Sequence, residues 1–187
     1  DWLVVADHSD GMGIINELLR GNPQLLAEPV VRRWYDMMKG GREQAKAAVM
    51  EIIEAQSNNR IPAVMKDPAL AMTVWQKSTA IMEKYNEPGR FTALIGYEWT
   101  SNAGGGNNLH RNVIFRDNAT RAGVTVPYTT MQPLGSDNPV DLWKWMAGFE
   151  DKTGGNVLAI AHNGNLSNGR MFPTVEAFGK PVDRAYA

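Results

Sequence analysis

The chain has 187 residues and a net charge of -1, is 43% hydrophobic and 21% charged, and contains no cysteine. That balance suits one globular domain or a large piece of one, and its near-neutral charge provides no field to draw nucleic acid or an anionic membrane surface. The missing cysteines exclude disulfides, thiolate metal sites and a thiol nucleophile, and no apolar run reaches the roughly 20 residues of a membrane span.

The first stretch, Trp2-Leu3-Val4-Val5-Ala6, is apolar, β-branched and of strand length, and it runs into Asp7-His8 and a Ser9-Asp10-Gly11 turn. Strands that are apolar throughout are usually buried on both faces of a parallel sheet or barrel, where polar groups at their carboxyl ends meet ligands. Ile14–Leu19 continues as a short helix closed by Gly21-Asn22-Pro23. Pro29 opens a helix with Val30, Val31, Trp34, Tyr35 and Met38 on one face, ended by Gly40-Gly41. In 42–57, Ala45, Ala48, Val49, Ile52 and Ile53 follow helical spacing until Asn58 and Asn59. Asp67-Pro68 caps a further helix with Ala71, Val74, Trp75, Ile81, Met82 and Tyr85 on one side, stopped by Pro88-Gly89. These helices are expected to pack against a sheet.

The second half alternates strands with connections. Residues 91–100 form an apolar strand carrying Glu98 near its end, followed by a loop with Gly104-Gly105-Gly106. The triple glycine reads as a turn, or as a weak anion cradle without a following P-loop lysine. Residues 109–116 are a third strand candidate, with His110 at its start rather than its end, so the carboxyl-end rule does not cover it. Residues 117–137 read as an irregular excursion with Pro127 and Pro133. Asn138-Pro139, with Asp141 three past the cap, opens a helix bearing Leu142, Trp145, Met146 and Phe149, closed by Gly154-Gly155. Residues 156–165 are a strand ending in His162, and the tail with Gly169, Pro173, Gly179 and Pro181 reads as loop. The chain begins inside a strand-like run and stops at Asp183-Arg184-Ala185-Tyr186-Ala187, which resembles an unfinished helix. Both ends point to a fragment of a longer protein.

The candidate chemistry lies in His8, Glu98, His110 and His162. Imidazole and carboxylate suit Zn, Mn and Fe, and two His plus one Glu make an established catalytic zinc set. Singly, a histidine beside a strand end is more often a hydrogen-bonded structural residue, by about two to one, and such a Glu is usually solvated or paired. All three histidines, however, adjoin apolar strand-like runs, and Asp7 precedes one of them. If the four residues form one site, their functional atoms lie within about 10 Å of a common point.

Val5-Ala6-Asp7-His8 resembles the T-D-H motif of the PHP (polymerase and histidinol phosphatase) superfamily of metal-dependent phosphoesterases, and Gly96-Tyr97-Glu98 resembles its G-x-E motif. His110, and His162 within Ala161-His162-Asn163, fall in order where that superfamily places two further histidines. The wording of Ala6 to Gly11 and of Gly104 to Phe115 is most similar to a bacterial branch, the domain of unknown function 3604 family. The resemblance implies an α/β fold, a portion of a distorted (β/α)7 barrel, with 1–187 a fragment of one such domain. It implies up to three divalent metals (Zn, Mn or Fe). Glu98 would bridge two, His110 and His162 would ligate one of these, and His8 the third, with Asp7 as an outer-sphere or acid/base group. The superfamily's H-x-H and D-x-H motifs are absent from the chain. The expected function is hydrolysis of small phosphate esters by a metal-bound hydroxide, with Arg111 as a phosphate contact or a surface salt-bridge partner. Alternatives are a non-catalytic scaffold, or hydrolysis of another bond such as an amide. Taken alone, the fragment is expected to be marginally stable, to self-associate or to need the rest of its parent chain.

Overall fold

The computed structural model describes residues 1–172, 176–177 and 180–181. The chain divides into two compact units, Gly11–Val74 and a second built from Asp1–Asp10 and Trp75–Ala187.

The first unit is helical. It holds α1 (Ile14–Leu19), α2 (Pro23–Leu26), α3 (Pro29–Lys39), α4 (Arg42–Ser57), a single 3₁₀ turn at Ala63–Lys66, and the start of α5 (Pro68–Lys84). Asn22 caps α2 by accepting from the Gln24 and Leu25 amides, and Asp67 caps α5 by accepting from Ala69 N–H at 2.9 Å. These helices were expected to lean on a sheet. That holds for α5, whose Trp75 lies in the second unit and packs on Tyr97 of its sheet, while within the first unit Ile14, Leu18, Leu25, Val31, Trp34, Ala48, Ile52 and Met65 make a core. The buried stripe of α4 is also turned from the expected one. Ala48, Ile52 and Ala55 are buried, whereas Val49 and Ile53 are about half exposed. The small side chains of Ala48 and Ala55 permit close helix approach, and Trp34 reaches Glu51 on α4 with its indole N–H at 2.9 Å.

The second unit is built on an open, mixed, four-stranded sheet in the order β1 (Trp2–Val4), β2 (Thr92–Trp99), β4 (Arg111–Phe115), β5 (Val157–Ala161). The connections hold the short turn α6 (Ala103–Gly106), the two-residue β3 (Asn107–Asn108), α7 (Ala119–Ala122) and α8 (Pro139–Thr153). A separate antiparallel pair joins β6 (Glu176–Ala177) to β7 (Lys180–Pro181), so Pro181 is paired rather than in loop. Pro173, Gly179 and the expected terminal helix lie outside the described residues. The excursion 117–137 is not wholly irregular, since Asn118 caps α7.

A parallel sheet was expected, but only β1 and β2 run parallel; β2–β4 and β4–β5 are antiparallel. The short link from β2 to β4 holds no crossover helix, which a parallel return would need. Nor is the sheet buried on both faces. Ile95, Tyr97, Trp99, Val113 and Phe115 alternate onto one face and are fully buried, with Trp75 of α5 meeting Tyr97 edge-on at 5.9 Å and Trp145 of α8 meeting it at 6.2 Å. Burying each such aromatic contributes about 2–3 kcal/mol. Leu158 and Ile160 belong to the other face and are exposed. Asn138 caps α8 through the Val140 amide at 2.9 Å, and Gly154 ends it with φ 66°, as the cap signals predict.

Candidate metal centre

The register of the sheet gathers the candidate residues. Directly opposed residues share a face. Glu98 on β2 opposes Asn112 on β4, and His8, just beyond β1, bridges to Glu98 in the same register in which Trp2 opposes Thr92. The backbone fixes this crossing, because Glu98 N–H donates to Asp7 O and Ser9 N–H to Glu98 O, both at 2.8 Å. His110 and His162 extend the β4–β5 ladder by one rung, with His162 N–H donating to His110 O at 3.1 Å. Because β4 is antiparallel to its neighbours, its start lies at the same end of the sheet as the carboxyl ends of β2 and β5. His110 therefore joins the others despite opening its strand.

The side chains converge on one oxygen. Glu98 Oε1 lies 2.8 Å from His110 Nδ1, 3.5 Å from His162 Nε2 and 3.6 Å from His8 Nδ1. One ligating atom each from Glu98, His110 and His162 all lie within 4.8 Å of one another. Two ligands of a tetrahedral cation stand about 3.4 Å apart for bonds of roughly 2.1 Å, a spacing that Glu98 Oε1 and His162 Nε2 match at 3.5 Å. Nitrogen, nitrogen and carboxylate oxygen form the donor set that Zn, Mn and Fe accept. The residues fit a divalent cation. His162 Nδ1 is buried and has no hydrogen-bond partner among the described residues, and Nε2 is the nitrogen that faces the carboxylate.

The surroundings orient the imidazoles. His110 is buried, with Nε2 3.4 Å from Asn102 Oδ1 and Nδ1 3.3 Å from Asn163 Nδ2. Burial holds its pKa below the ordinary histidine value, Glu98 pulls it up, and His162 and His8 add to the depression. His8 is the exposed member, and its Nδ1 lies 2.6 Å from Thr100 Oγ1. Asp10 ties the 127–137 segment to this end of the chain. Its carboxylate accepts from the Thr129 hydroxyl, from Thr130 N–H at 2.8 Å and from the Thr130 hydroxyl at 2.5 Å.

The other two candidates stand apart. Asp7 is exposed and, by strand alternation, its side chain leaves the face that carries His8 and Glu98. Arg111 is on the opposite face of β4. It is buried, donating to Leu109 O at 2.6 Å and Met171 O at 3.2 Å, with its guanidinium 5.9 and 5.8 Å from the rings of Trp99 and Trp143. Burial lowers its pKa to about 10. This location suits a core support and not a phosphate contact. The triple glycine forms a turn, with Gly104 and Gly105 at φ 62° and 80°, closed by Asn107 Nδ2 donating to Ala103 O at 2.6 Å.

Thr100, Asn102, Asn163 and Asp10 carry no site role in the sequence reading. Thr100 was accessible to it, since it lies two residues past Glu98 and so on the same face. Asn163 adjoins His162. Asn102 arrives through a loop and has no periodic signal.

The family model described as "Protein of unknown function (DUF3604)" matches residues 1–187, and the chain belongs to that family. No curated protein and no solved structure matches it.

Proposed function

We propose that this DUF3604 chain holds a divalent metal at Glu98, His110 and His162, with His8 alongside, and serves the hydrolysis of small phosphate esters. The observation that carries the reading is the convergence of three histidines on the single atom Glu98 Oε1 from segments far apart in sequence. A structural histidine is satisfied by a local donor and acceptor at its two ring nitrogens, and three such rings need not meet at one carboxylate oxygen. The order of the Asp7-His8, Gly96-Tyr97-Glu98, His110 and His162 motifs supports placing the family with the PHP superfamily, and the sheet as part of a PHP-like barrel. When bound, the metal supplies Lewis acidity toward a phosphoryl oxygen and offsets charge as the ester is cleaved. Glu98 balances the cation's charge. Asn102 Oδ1 accepts from His110 Nε2–H, which leaves Nδ1 free for the cation. His8, exposed beside the carboxylate, is placed to accept or return a proton.

Calorimetric titration of zinc and of manganese into the protein and into His162→Ala tests the site. Removing one of three protein ligands is expected to cost more than the roughly 10–100-fold lost with an outer-shell partner. Unchanged affinity in His162→Ala would show the ligands to be wrongly assigned. Turnover of p-nitrophenyl phosphate with no turnover of a p-nitroanilide separates ester from amide hydrolysis, and metal binding without any turnover points to a scaffold.

A further inference from the structure

We infer that Thr100 is a positioning residue that fixes the tautomer of His8, so that His8 carries its proton on Nδ1 and presents a bare Nε2. A neutral imidazole has one N–H and one lone pair, and the hydrogen bond at one nitrogen decides what the other offers. His8 Nδ1 lies 2.6 Å from Thr100 Oγ1, the shortest polar contact of its ring. The same hydroxyl lies 3.4 Å from both the backbone oxygen and Oε1 of Glu98.

Two proton arrangements satisfy the short contact. In one, the Thr100 hydroxyl donates to Nδ1. The Nδ1 lone pair then points into a region where the Glu98 carboxylate oxygen stands only 3.6 Å away, and the hydroxyl has nothing to give to either Glu98 oxygen. In the other, Nδ1–H donates to Oγ1, and the hydroxyl proton turns toward Glu98. Every donor then faces an acceptor, and the carboxylate, which can only accept when ionised, meets positive edges on both sides. The electrostatics select the second. Its consequence is a lone pair on Nε2 of an imidazole that is 64% exposed beside the triad. That is the form able to take up a proton, the role proposed for His8. The positions are held by backbone pairing of Asp7 and Ser9 to Glu98, so the contact does not depend on a mobile loop.

The meaning of the bare Nε2 for proton transfer rests on the proposed function; the tautomer does not. Long-range ¹H–¹⁵N correlation spectra of the metal-free protein, recorded at pH about 8.5 where histidine is neutral, read the tautomer directly. His8→Gln assigns the signals by their loss. The wild-type His8 is expected in the Nδ1–H form, Thr100→Val shifted toward Nε2–H, and Thr100→Ser restored to the wild-type pattern. Zinc titration is then expected to show about a 10-fold weaker site in Thr100→Val, because the hydroxyl that also faces the ligand oxygen Glu98 Oε1 at 3.4 Å is lost, with recovery in Thr100→Ser. A wild-type His8 in the Nε2–H form overturns the inference whether or not the variants fold. So does a Thr100→Val spectrum unchanged at His8. A protein that binds no zinc but shows the expected tautomers refutes the metal site and leaves the Thr100 assignment standing.

Discussion

Gly96 is where the sheet that carries the site tolerates least. It lies on β2, two residues before Glu98 and on the same face, between β1 and β4. A Cβ placed there meets Val4 Cγ2 at 2.7 Å and Val113 O at 2.8 Å, both closer than normal van der Waals contact. The valine methyl is able to rotate away; the carbonyl belongs to the β4 ladder and is not. Overpacking of this kind costs about 1–3 kcal/mol, and a backbone neighbour puts Gly96→Ala toward the upper end. Alanine's smaller conformational-entropy loss in a strand returns about 0.5–1 kcal/mol. The net expectation is about 2 kcal/mol of destabilisation, or roughly 4–8 °C in Tm for a chain of this size. Urea unfolding followed by tryptophan fluorescence measures it. Val4→Ala removes only the contact that a rotation relieves, so most of the cost of Gly96→Ala is expected to persist in that background. A Gly96→Ala protein within about 0.5 kcal/mol of wild type, or a cost that vanishes in the Val4→Ala background, would refute the claim that close approach of the β4 backbone requires glycine here.

Two further outcomes are expected. His110 has its pKa depressed by burial, so it binds fewer protons folded than unfolded. Its contribution to stability is complete above the unfolded histidine pKa of about 6.5 and is lost as pH falls from there through the lower folded value, with His110→Gln flattening that part of the stability–pH profile. Arg111→Lys is expected to cost about 1–3 kcal/mol, because lysine keeps the charge but loses the planar fork between two carbonyls and two indole rings. Zinc affinity should stay unchanged in that variant, and a large drop with stability intact would move Arg111 back toward the site.

Much of the local structure was legible because it rests on near neighbours. Ile14–Leu19 and Arg42–Ser57 match the expected helix bounds, since capping and 3.6-residue spacing act within a few residues. The three histidines and Glu98 stood out because imidazole and carboxylate beside apolar runs are rare in a chain with only three histidines. Strand direction was not legible. An apolar run such as Val113-Ile114-Phe115 reads alike in a parallel or an antiparallel ladder, because side-chain alternation is the same in both. Which face is covered was equally hidden, since Leu158 and Phe115 have the same preference for burial but only Phe115 has Trp75, Trp145 and Phe149 packed against it. Direction decided the site. Because β4 runs against β2 and β5, His110 at its beginning meets Glu98 and His162 near the ends of theirs, and Arg111, one residue on, turns to the buried face. The amino-acid sequence determined which groups are available for chemistry; long-range hydrogen-bond pairing, which no local window encodes, determined that they share one oxygen atom.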